Sequence, residues 1–230
     1  MRIGMKIVYP IHSHGALMVL IPGGTGVGSE AQRGLEVTKN FFQQREWNVE
    51  IFLAAGQPGR DGSFSLAAAA CELQTFIADR LVRHASSRLC LFGTCSGGTM
   101  AVFCASRLPE VTDVMLFETL PRYSPCDIKG FEPRAIAAGV TLDPDWATKY
   151  IHTVDFAPDF KGRVLLMTGD GSTPPVVTDS DARTLEKSFS AAKCICSFVI
   201  RTAKHSATRE HATPAFQTIL NHATQFPHHE

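Results

Sequence analysis

The sequence predicts an α/β architecture, a mostly parallel sheet with helices on both faces. Three observations carry this expectation. Short apolar runs recur at Gly15–Ile21, Trp47–Leu53, Leu89–Phe92, Val114–Phe117, Val164–Thr168 and Cys194–Ile200. Stretches of helical periodicity separate them, the rhythm of strand–helix–strand units. The second of the chain's strand-like stretches, Gly15–Ile21, is an apolar run that does not alternate with polar residues, which marks a strand covered on both faces.

In order, Lys6–Pro10 reads as a first strand, joined by a short polar connection at His12–His14 to the strand Gly15–Ile21, as in a hairpin. The next stretch, Pro22-Gly23-Gly24-Thr25-Gly26-Val27-Gly28, is rich in glycine and offers backbone amides rather than side chains. At the carboxyl end of a strand such a loop suits an anion or a developing oxyanion, or is a flexible connection. It lacks the lysine of a P-loop. Ser29 to Arg45 is helical, with Ser29 as a candidate N-cap, and Ser65 to His84 is a long helix that starts in an Ala-rich stretch. Helices are also expected from Ser96 to Arg107, from Asp179 to Ser188 and from Pro214 to Phe226. Between Thr119 and Phe160, Pro121, Pro125, Gly130, Pro133, Pro144 and Pro158 break the pattern. This part reads as a lid-like insertion with one short helix, from Pro144 to His152.

Composition bounds the function. The chain has 230 residues, enough for one domain with a sizeable core, and 44% are hydrophobic against 19% charged. Its 22 basic and 22 acidic residues balance to a net charge of +0, which argues against a nucleic-acid partner. No run approaches the roughly 20 apolar residues of a membrane span, and the first residues lack the apolar core of a signal peptide, so the expected location is cytoplasmic. The seven cysteines lie scattered through apolar segments and fit reduced thiols. Cys90 and Cys104 are expected in the core, and His12, His14, His84, His152 and His222 at the surface.

The stretch Gly93-Thr94-Cys95-Ser96-Gly97-Gly98 stands where a strand turns sharply into a helix. The pattern is Gly-x-nucleophile-x-Gly, with cysteine as the nucleophile, and the alternative is a buried structural cysteine beside a glycine turn. The free amides at the start of the helix favour a thiolate. A thiol needs a base, and the base an acceptor to fix its tautomer. Asp170, after the strand Val164–Thr168, and His205, after Cys194–Ile200, follow in that order. Glu118 at its own strand end is the rival acid, and His211 the rival base.

These residues together resemble the α/β-hydrolase superfamily over nearly the whole chain, 1–230. The resemblance rests on Ile21-Pro22-Gly23-Gly24-Thr25, the elbow at Cys95, Thr168-Gly169-Asp170 and Lys204-His205. It implies Cys95 as nucleophile, His205 as general base, Asp170 as its orienting carboxylate, and an oxyanion hole from the amides of Ser96 and Gly24. Cysteine at the elbow is similar to dienelactone hydrolases and thioesterase-like members, where most members carry serine. The expected function is hydrolysis of an acyl thioester, activated ester or lactone through an acyl-cysteine, the substrate being a small acyl compound, free or bound to a carrier protein or coenzyme A. An acyltransferase or cyclase, passing the acyl group to an amine or hydroxyl, is the alternative, and a silent binding protein of the same fold a third. No metal or organic cofactor is signalled.

Overall fold

The structure, a computed structural model, describes residues 16–24, 29–83, 88–169 and 176–200. Six parallel strands form one sheet in the order β2-β1-β3-β4-β5-β6: β1 Ala16–Ile21, β2 Asn48–Ile51, β3 Arg88–Thr94, β4 Val111–Phe117, β5 Arg163–Gly169 and β6 Cys194–Ile200. The helices are α1 Ser29–Gln43, α2 Leu66–Arg83, α3 Ser96–Ala105, α4 Pro125–Ala137 and α5 Asp179–Ser188. The expected strand Lys6–Pro10, the loop after β6 and the helix from Pro214 lie outside the described residues.

Strand alternation explains the consecutive apolar runs. Along β1, Leu17, Val19 and Ile21 enter one core with α2 and α3, whereas Ala16, Met18 and Leu20 enter a second with Phe42 of α1 and Trp47. β3 divides in the same way, Leu89 and Leu91 to the first core and Cys90 and Phe92 to the second. Both faces are covered, so the central positions of these strands are consecutively apolar. Cys90 and Cys104 are fully buried, and burial pushes both thiols far above the usual range. They are inert at neutral pH.

At the amino ends of the central strands, Asp113 of β4 is clamped by arginines from both neighbours. Arg88 of β3 donates to its two oxygens at 2.8 and 3.1 Å, and Arg163 of β5 approaches at 2.7 and 2.8 Å. Burial alone would raise this carboxyl. The two guanidiniums outweigh it and hold Asp113 below the usual carboxylate range.

Residues 119–160 depart from the sequence reading. No helix spans Pro144 to His152; only a short 3₁₀ turn, Trp146–Thr148, occurs there, and α4 forms instead over residues read as broken. Pro125 stands in the first turn of α4, where a missing N–H costs nothing, and Ser124 with Asp127 makes a reciprocal capping box. The corrected helix includes Pro133 in its interior. His152, expected at the surface, is half-buried, its Nδ1 accepting from the Tyr123 amide at 3.1 Å. No described helix is long and apolar enough to cross a membrane.

Candidate active site

The elbow is built by glycines and closed by backbone hydrogen bonds. A Cβ on Gly93 would stand 2.5 Å from the Gly98 amide nitrogen, and one on Gly97 2.8 Å from Pro22 O, so strand, turn and helix meet only because these side chains are absent. Gly98 meets the same limit, its Cβ falling 2.7 Å from Thr119 Cγ2. Cys95 sits between them at φ 52, ψ −126, a conformation that L-residues rarely adopt. Strain of this kind survives only where the surroundings over-determine it. The Cys95 amide donates to Phe117 O at 2.9 Å, and Cys95 O accepts from the Gly98 amide at 3.0 Å. Its side chain is half-buried and faces the start of the glycine-rich loop. A Cβ on Gly23 would lie 2.9 Å from Cys95 Cβ and 3.5 Å from Sγ.

The two hydroxyls flanking Cys95 tie this loop down. Thr94 Oγ1 accepts from the Gly23 amide at 3.3 Å, and the buried Ser96 Oγ accepts from the Gly24 amide at 2.8 Å. Ser96 and Gly24, both named as oxyanion donors, are thus in direct contact. The Gly24 amide has the Ser96 hydroxyl as its resident acceptor. Gln57 adds a third tether, its Nε2 donating to Gly23 O at 3.1 Å while its Oε1 accepts from the Ala54 amide at 2.7 Å. Sequence reasoning did not assign Gln57 this tether.

Glu118 occupies the position beside Cys95 across the sheet, one step beyond the Thr94–Phe117 pairing. Its φ is 52, its side chain is buried, and its amide donates to Met167 O at 2.9 Å. Oε1 accepts from the Gly169 amide, the residue before Asp170. Two adjacent strand ends therefore carry non-glycine residues with positive φ. Asp170, His205 and His211 lie outside the described residues.

Aromatic rings from residues 119–160 cover the elbow. Phe131 of α4 and Phe64 press on Gly24, where an added Cβ would come within 2.6 and 3.0 Å of their rings. Phe131 packs on Trp146 at 5.3 Å between centroids and edge-on to Tyr150 at 6.3 Å; Tyr150 meets Tyr123 at 5.0 Å. Tyr123 in turn bonds Thr99 Oγ1 at 2.9 Å, on the helix one turn beyond Cys95. None of these rings was singled out from the sequence. Apart from Phe64, their only signal there was aromatic residues gathered in a proline-broken segment.

The fold is that of α/β-hydrolases, and solved structures align along nearly the whole chain. A bromoperoxidase from Bacillus anthracis matches with a TM-score of 0.72 at 15% identity, covering 93% of this chain and 94% of its own. A lipase-esterase related protein from Clostridium acetobutylicum ATCC 824 matches at 0.67 and 16% identity, over 90% and 94% of the two chains. An enol-lactonase from Burkholderia xenovorans LB400 matches at 0.64 and 16%, over 93% of each. No family model and no curated protein sequence matches the chain.

Proposed function

We propose that the protein is a hydrolase that opens acyl thioesters, activated esters or lactones through a covalent acyl-Cys95. The observation that carries this reading is the strained Cys95 at a glycine-built elbow, with the Gly23–Gly24 backbone against it. Structural neighbours that include an esterase-related protein and a lactonase support acyl chemistry broadly.

In this reading His205 takes the Cys95 proton and the sulfur attacks the acyl carbon. A C–S bond forms, and the negative charge on the carbonyl oxygen is met by the amides of Ser96 and Gly24, the latter exchanging its Ser96 hydroxyl for the oxyanion. The oxygen or sulfur of the leaving group departs with the proton from His205. Water then gives a proton to His205 and adds to the acyl carbon, and collapse releases a carboxylic acid and restores the thiol. Asp170 orients the imidazole. Glu118 accepts from the Gly169 amide and so braces the start of the Asp170 loop in this scheme. The rings above the elbow favour the second reading in one respect: an apolar cover limits water at the acyl-enzyme, so an amine or hydroxyl acceptor would compete for it.

Intact-mass spectrometry with a panel of coenzyme A and carrier-bound thioesters tests this. The expected result is an acyl adduct on Cys95 that is absent in Cys95→Ala and discharged by water. An adduct stable in water but discharged by added amines would assign transfer, and no adduct with any thioester, ester or lactone would refute both.

A further inference from the structure

Three hydroxyls near the elbow form a one-way chain. Thr153 Oγ1 donates to Leu120 O at 2.7 Å, so its oxygen is left to accept from Thr99 Oγ1 at 2.8 Å. Thr99 has then spent its proton, and its oxygen accepts from the Tyr123 hydroxyl at 2.9 Å. Each hydroxyl carries one proton, so the order admits no other assignment once Thr153 is fixed. Tyr123 is thereby tied to the framework and has no proton to offer a ligand.

Tyr150 differs. It is half-buried, and its hydroxyl makes no hydrogen bond among the described residues. Its ring lies between Tyr123, anchored on Thr99, and Phe131, seated on Gly24. Those two anchors flank Cys95 on its helix side and its loop side. Trp146 packs edge-on against Tyr150 at 5.8 Å, which fixes the ring's plane. Burial, and next the electrostatic influence of the nearby Cys95, push the Tyr150 phenol up, so it keeps its proton throughout the neutral range.

Resting on the acyl-Cys95 reading, we infer that Tyr150 is a specificity determinant, its hydroxyl donating to a second acceptor carried by the acyl group beyond the reacting carbonyl. The carbonyl oxygen is already served by Ser96 and Gly24. A hydroxyl donor set among the rings of the cover would select acyl groups with a keto, hydroxyl or amide oxygen over plain chains. A donor left without its partner in a dry site discriminates against the ligand that lacks it.

The test measures single-turnover acylation of Cys95 with butanoyl to hexanoyl thioesters, plain or bearing a keto oxygen at carbon 3, 4 or 5, in the wild type and in Tyr150→Phe. The wild type should prefer at least one keto substrate over its plain counterpart by about tenfold. Tyr150→Phe should erase that preference while acylation by the plain chain stays within about threefold. A preference that persists in Tyr150→Phe, the absence of any preference in the wild type, or an equal fall for both substrate types would overturn the inference while leaving acyl-Cys95 standing. Failure of the wild type to acylate with any member would instead sink the underlying reading, and the inference with it.

Discussion

Replacing Cys95 with alanine and, separately, with glycine isolates the strain held at the elbow. Both variants lack the sulfur, so whatever the thiol contributes to folding cancels between them. At an unstrained position glycine is less stable than alanine by about 0.5–1 kcal/mol, because the unfolded chain gains freedom. At φ 52, ψ −126 alanine keeps the steric conflict of a Cβ, worth about 1–3 kcal/mol, and glycine does not. The difference predicts Cys95→Gly to be the more stable of the two by about 1 kcal/mol, a reversal of the ordinary order. For a chain of this length that is about 2–4 °C in melting temperature. Urea titrations of the two variants, read by far-UV circular dichroism with a common slope, measure it. A glycine variant less stable than the alanine variant would refute the claim that the elbow is strained, and with it the structural argument for Cys95 as a nucleophile.

Two further outcomes follow from other parts of the molecule. Asp113→Asn leaves Arg88 and Arg163 without their shared carboxylate and should cost about 3–5 kcal/mol in chemical denaturation. Because the folded Asp113 carboxyl lies below its unfolded value of about 3.9, its contribution is fully present above that value and is lost as pH falls through the folded one; acid denaturation of the asparagine variant should lack this component. Ser96→Ala removes the resident acceptor of the Gly24 amide, and a buried N–H without a partner costs about 1–3 kcal/mol. Acylation of Cys95 in that variant should stay within about threefold of the wild type, since the amide remains free to meet an oxyanion; a fall of a hundredfold would show that the hydroxyl itself is required.

The elbow was legible because its signal is local. Gly93, Gly97 and Gly98 lie within six positions at the end of an apolar run, and each is demanded by a backbone or side chain that the turn itself brings near. The strands were legible for a related reason, since burial on both faces leaves consecutive apolar residues. Helix α4 was missed because proline was weighed without its position: Pro125 opens the helix, and the Ser124–Asp127 capping box shows where it starts. The aromatic cover could not be read at all. Phe64 and Phe131 lie far apart in the chain and meet only through the folded sheet, and neither carries a local pattern that names its partner. The same holds for the Gly24–Ser96 contact, 72 residues apart in sequence, which ties the glycine-rich loop to the helix after Cys95.

The cover is stitched to the segment after β2 by the main chain. Phe64 pairs with Leu142 in an isolated parallel bridge, the Phe64 amide donates to Thr141 O at 2.7 Å, its carbonyl accepts from Asp143 at 2.9 Å, and Thr141 donates to Gly56 O at 2.8 Å. Those bonds do not depend on the side chains of Phe64, Thr141 and Asp143, proline excepted, although Gly56 must stay glycine. The wall above the Cys95 sulfur can therefore exchange one ring for another without the roof coming loose.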